Sequence, residues 1–178
     1  NEVINNQDVQ FCVGQTRTLT SETIAGNNIA YEWVFNDGMT SNVIADTPTL
    51  TLTNVTMANN GTYTLTVDLT DDCGNFVKLE GTFNIGVFKV ATANPVNNIN
   101  FCDADNDGFN AFDLQSLVTP QVLGDLQSST DFEVIYFDNL PDAENNVTAN
   151  ALPNPYTNSS STEIIYARIH NRNAPETC

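Results

Sequence analysis

The sequence predicts a mainly β chain in two parts, an antiparallel β-sandwich followed by a smaller β-rich domain with one or two short helices. Three observations carry that expectation. Short runs of alternating apolar and polar residues recur through the first half, separated by turns rich in Gly, Asn and Asp. Thr and Asn are abundant while Lys is scarce, which suits strands and loops more than helices. The pattern then changes at residue 102, where an acid-rich loop leads into an apolar helical stretch. With 178 residues, two small domains can each bury a core. We place the sandwich at 1–92, a linker at 93–100 and the second domain at 101–178.

The strands of the first half follow in order. Residues 9–13 alternate, Gly14 and Gln15 turn the chain, and 16–21 alternate again around Leu19. A run from Ile29 through Trp33 to Phe35 ends at Asn36, Asp37 and Gly38, the strongest short hairpin signal in the chain. Residues 49–52 alternate, Asn59, Asn60 and Gly61 turn, and 62–69 alternate. The tip formed by Asp71, Asp72, Cys73, Gly74 and Asn75 precedes a last run over 76–88. About seven short strands at this spacing make an antiparallel sandwich.

Gly14 and Leu19, Tyr31 and Trp33 with Asp37-Gly38, Leu50 and Leu52 with Asn54-Val55, and Asn59, Gly61 and Tyr63 together resemble the immunoglobulin-like pattern. The resemblance implies that Trp33 is the core tryptophan and Tyr63 the corner tyrosine, with Tyr31 sharing the inward parity of Trp33. It departs from the family in lacking the usual inter-sheet cysteines, near whose places stand Thr20 or Ser21 and Leu65. Cys12 and Cys73 lie instead near the first strand and the last hairpin turn, as in many bacterial immunoglobulin-like repeats.

The junction, with Pro95, is polar and aperiodic, and a linker that short holds its domains close. Beyond it come Cys102, Asp103, Asp105, Asp107, Gly108, Phe109 and Asp113. Four like charges so close together are unfavourable unless a cation neutralises them, and oxygen ligands suit calcium above all. Counting from Asp103, the acids occupy positions 1, 3 and 5, and glycine position 6. The loop resembles the first half of the EF-hand-type D-x-D-x-D-G loop shared with dockerins. The position-12 glutamate is replaced by Leu114, with Asp113 one residue before it. We therefore expect Ca2+ bound by Asp103, Asp105, Asp107, the Phe109 carbonyl and Asp113, at an affinity of roughly 10⁻⁴ to 10⁻³ M. The competing reading leaves the acids solvated and makes Asp113 only the N-cap of the helix that follows.

Leu114, Leu117 and Val118 share a helical face, Thr119-Pro120 breaks or restarts the helix, and Gly124 ends it. Strands are expected over 131–137 and 163–170, with one helical turn over 140–144. Pro153 and Pro155 keep the intervening chain extended or looped. The order Cys102 to Leu114, Val134 to Phe137, Asp142-Ala143-Glu144, Pro153 to Asn158, Ile165 to Ile169 and Cys178 resembles a repeat of very large Bacteroidota surface proteins. These include gliding-motility adhesins of the SprB type, exported by the type IX system. The resemblance implies a cell-surface filament or adhesin of tandem modules, whose partners are neighbouring repeats and surface polysaccharide or other surface proteins.

Composition excludes several function classes. Five Lys and Arg stand against 22 Asp and Glu, for a formal charge of −17. That excludes nucleic acid, whose phosphates need clustered cations, and docking on anionic membranes. No apolar run is long enough to insert in a membrane. The start at Asn1, without Met or leader, is read as a mature or excised fragment of a longer chain.

The four cysteines Cys12, Cys73, Cys102 and Cys178 form no zinc motif, and their even count favours disulfides in an oxidising, extracellular compartment. Three pairings are possible, and domain logic favours Cys12 with Cys73 and Cys102 with Cys178. The single histidine, His170, is expected to be exposed and has no nucleophile motif around it. The acids have loop spacing rather than that of a glycosidase pair. We read the chain as a non-catalytic structural or adhesive module; the alternative is a carbohydrate-binding or accessory module of a secreted enzyme.

Overall fold

The computed structural model describes residues 2–103, 105–175 and 178, with side chains from residue 6 onward. The chain divides into two compact units, one ending at Lys89 and the other beginning at Val90. The class is the one expected: mainly β, immunoglobulin-like in the first unit, with a few short helices in the second. Among the described residues, no helix is long and apolar enough to cross a membrane.

The first unit contains β1 (Glu2–Cys12), β2 (Arg17–Thr20), β3 (Asn27–Asn36), β4 (Ser41–Ala45), β5 (Thr49–Leu52), β6 (Gly61–Thr70) and β7 (Phe76–Phe88). Five of them form a sheet in the order β1-β7-β6-β3-β4, while β2 pairs with β5 in a second, two-stranded sheet. β1 runs parallel to β7, and the remaining pairs are antiparallel. Alternation does what period-2 sequence requires: in β6, Tyr63, Leu65, Val67 and Leu69 are buried and the residues between them are not. Trp33 is fully buried, packs on Phe83 at a ring-centroid distance of 5.3 Å and donates its indole N–H to the Thr47 carbonyl at 2.9 Å. Tyr63 donates its hydroxyl to the Asn59 carbonyl at 3.1 Å. Both residues hold the core and corner positions the sequence assigned them.

The second unit comprises β8 (Ala111–Phe112), α1 (Leu114–Leu117), α2 (Thr119–Leu123), β9 (Phe132–Phe137), α3 (Leu140–Asn145), β10 (Tyr156–Thr157) and β11 (Tyr166–Asn171). Two antiparallel pairs, β8 with β10 and β9 with β11, enclose a core of Leu114, Val118, Val122, Leu123, Phe132, Val134 and Tyr136. Pro120 stands at the start of α2, restarting the helix as its fixed φ allows.

The stretch expected as a linker, 93–100, is part of this second unit. Asn94 donates its backbone N–H to the Val122 carbonyl at 3.0 Å and its amide to the Val122 and Leu123 carbonyls at 3.0 and 3.1 Å. Asn97 bonds Gln121, and Ile99 packs on the core. Asparagine side chains tie a segment without periodicity, expected as a short linker, into the second unit.

Candidate metal-binding loop

Residues 102–113 carry the chain from the 93–100 strap into α1. Asp103 organises the loop with both oxygens: Oδ1 accepts from the Asn106 N–H at 2.9 Å and Oδ2 from the Gly108 N–H at 2.7 Å. Asp107 accepts from the Phe109 N–H at 2.8 Å. Gly108 has φ +86, a left-handed turn that costs glycine little. The Gly108 N–H is the main reason the Asp103 carboxyl lies below the usual carboxylate range. As a result Asp103, Asp105 and Asp107 bring one carboxylate oxygen each to within 4.8 Å of one another. Oxygens sharing one calcium at about 2.4 Å each are at most about 4.8 Å apart, so these three donors fit a hard cation.

The other two expected ligands stand differently. The Phe109 carbonyl accepts no hydrogen bond among the described residues, so it is free to coordinate. Asp113 is outside the carboxylate cluster. It caps α1: Oδ1 accepts from the Ser116 N–H at 3.1 Å and the Asn154 amide at 2.9 Å, and Oδ2 accepts from the Ser116 hydroxyl at 2.6 Å. The Ser116 hydroxyl first, then Asn154, hold its carboxyl below the ordinary range. Here the N-cap reading describes what the side chain does.

Two asparagines that sequence reasoning left without a role position this loop. Asn158 donates to the Gly108 carbonyl at 2.9 Å and accepts from the Asn110 N–H at 2.6 Å, across 50 residues of chain. Asn154 receives the Gln115 N–H and donates to Asp113. Both lie in the Pro153-to-Asn158 segment, whose spacing was the one available signal.

The cysteines overturn the expected pairing. Cys12 and Cys178 are disulfide-bonded, whereas Cys73 and Cys102 are free and exposed. Neither a Cys12–Cys73 nor a Cys102–Cys178 bond is present. His170 is also not where it was expected: it is 6 % exposed, paired across the β9–β11 ladder with Glu133, its Nε2 3.3 Å from the carboxylate. A buried strand histidine braced by a carboxylate is part of the packing. Asp71, of the acidic hairpin tip, spends its carboxylate on the N–H groups of Cys73 and Asn75.

Residues 98–178 match the family model described as Flavobacterium inter-domain disulphide bond domain, and residues 3–76 match the PKD domain. Together they fit a Bacteroidota surface protein with Ig-like domains, and both are non-catalytic domain types. No curated protein matches the chain. Among solved structures, murine CRIg aligns with 45% of this chain and 91% of its own, at 15% identity and a TM-score of 0.40.

Proposed function

We propose that the chain is a stiffening pair of modules in a large, type IX exported cell-surface adhesin or filament of the kind used in gliding motility. The PKD and disulphide-domain matches point to an extracellular structural or adhesion-type module, which supports this reading at its coarser level. The observation that supports the calcium part of the reading is how the carboxylates are used. The carboxylates of Asp37, Asp71, Asp113, Asp142 and Glu163 each accept hydrogen bonds that fix a local turn or cap. Among the described residues, Asp103, Asp105 and Asp107 alone converge on a common point.

In this reading calcium sits among those three carboxylates and the Phe109 carbonyl, offsetting local repulsion and fixing the loop that leads into α1. Asp113 supports the cage indirectly, by capping α1. The disulfide supplies the second constraint. Cys12 and Cys178 are disulfide-bonded while Cys73 and Cys102 are free, in keeping with the disulphide in the description of the matched family.

Thermal unfolding with millimolar calcium, and again after chelation, tests the cation. Calcium is expected to raise the melting temperature of the chain, magnesium to do so less, and Asp105→Ala to remove the response. Equal melting with calcium and with chelator removes calcium from the proposal.

A further inference from the structure

Within the second unit, the 93–100 strap and the loop from Asn158 to Ile164 form the walls of a half-open cleft of about 500 Å³. That volume is in the range of small-ligand sites. Its floor is apolar, with Phe112, Leu114, Val118 and Tyr136 among the lining residues. Its rims mix the polar Asn98, Asn100, Ser161 and Thr162 with the exposed Val96 and Ile164, and carry no charge apart from Glu163. We infer that this cleft is a binding site for a neutral saccharide. The inference goes beyond the stiffening role and does not depend on calcium in the acidic loop.

Charge narrows the ligand first. The five cations of the chain are Arg17, Lys78, Lys89, Arg168 and Arg172, and none lines the cleft. An acidic sugar, a phosphate or a sulfate would enter a strongly acidic protein with no counter-charge to meet it. Glu163 does not attract a cation in their place. Its Oε1 accepts from the Ser159 and Ser160 N–H groups and the Ser159 hydroxyl, and its Oε2 accepts from the Tyr156 hydroxyl at 2.7 Å. These bonds fold the wall loop and hold the half-buried Tyr156 ring in place.

The free polar groups then select among neutral ligands. Asn98 and Asn100 are exposed, and their side-chain amides have no partner among the described residues. An amide donates and accepts at once, as does each sugar hydroxyl, so a run of amides and hydroxyls matches a pyranose edge. Ser161 and Thr162 add hydroxyls on the facing wall. The aromatic and aliphatic floor suits the C–H face of a sugar ring, as amphipathic pockets do for ligands apolar on one side and polar at the edge. A peptide would gain most by adding a strand to a free edge; both walls here are irregular chain, but β8 and β10 each keep one edge in their two-stranded sheet, so a neutral hexapeptide is the competitor to titrate beside the sugars.

The test is a titration of the full 178-residue chain, nitrogen-15 labelled, with the methyl glycosides of glucose, galactose, mannose and N-acetylglucosamine. At least one is expected to produce saturable amide shifts at Asn98, Asn100, Tyr156 and Ile164. The double variant Asn98→Ala, Asn100→Ala leaves the core untouched. It is expected to keep the spectrum of the folded chain while weakening binding by about fivefold or more, the value of one or two hydrogen bonds. The inference is overturned if none of the four sugars shifts these amides, if the double variant binds as tightly as the parent, or if a neutral hexapeptide shifts them while the sugars do not.

Discussion

Gly61 opens β6 where the chain leaves the turn after Asn59, and its φ is +150. A Cβ added there would collide with the Asn36 carbonyl oxygen and come within 2.7 Å of the Phe35 ring. Phe35 is not free to yield, because it packs on Tyr63 at a centroid distance of 4.6 Å, and Tyr63 is fixed by its bond to Asn59. Gly61→Ala is therefore expected to destabilise the first unit by about 2–3 kcal/mol, combining overpacking with backbone strain. Gly38→Ala makes the comparison: its φ is also positive, but a Cβ there meets nothing within 4 Å. Urea unfolding followed by Trp33 fluorescence checks both, and a Gly61 variant no less stable than the Gly38 variant refutes the packing argument. The sequence showed the glycine at a turn before a corner tyrosine. It did not show the collision, which arises from Phe35 on a strand distant in the chain.

At the scale of elements, the strands that alternate between a buried and an exposed side were legible: β3, β5, β6, β7 and β9 fall where periodicity put them. β4 was not, because Val43 and Ile44 are 64 % and 42 % exposed and no buried face imposes a period. β11 starts later than expected because Glu163 serves the preceding loop rather than the ladder. The three clustered aspartates were legible as local spacing, whereas the asparagines that clamp them act across tens of residues.

The cap on α1 gives the prediction at this scale. The Asp113 carboxyl lies below its ordinary range through Ser116 and Asn154. A depressed carboxylate stabilises the fold above its unfolded pKa, and that contribution is lost as pH falls through the folded value. Asp113→Ala should thus melt lower than the parent at neutral pH, with the gap closing below about pH 4. Its calcium response should persist, since the structure commits this side chain to the cap. Loss of that response on mutation would return Asp113 to the metal.

For the whole chain, the consequential correction is the disulfide. Pairing within each half treats the units as separately closed, a reasonable expectation from domain logic, yet the free thiols of Cys73 and Cys102 exclude it. Within the second unit, the Cys178 carbonyl accepts the Ala91 N–H at 3.2 Å, so the end of that unit is pinned beside its own beginning. Alkylation of the native chain is expected to label Cys73 and Cys102, and Cys12 and Cys178 only after reduction, read by mass spectrometry of the digested chain. Labelling of Cys12 or Cys178 without a reductant, or protection of Cys73 or Cys102, would restore pairing within the halves.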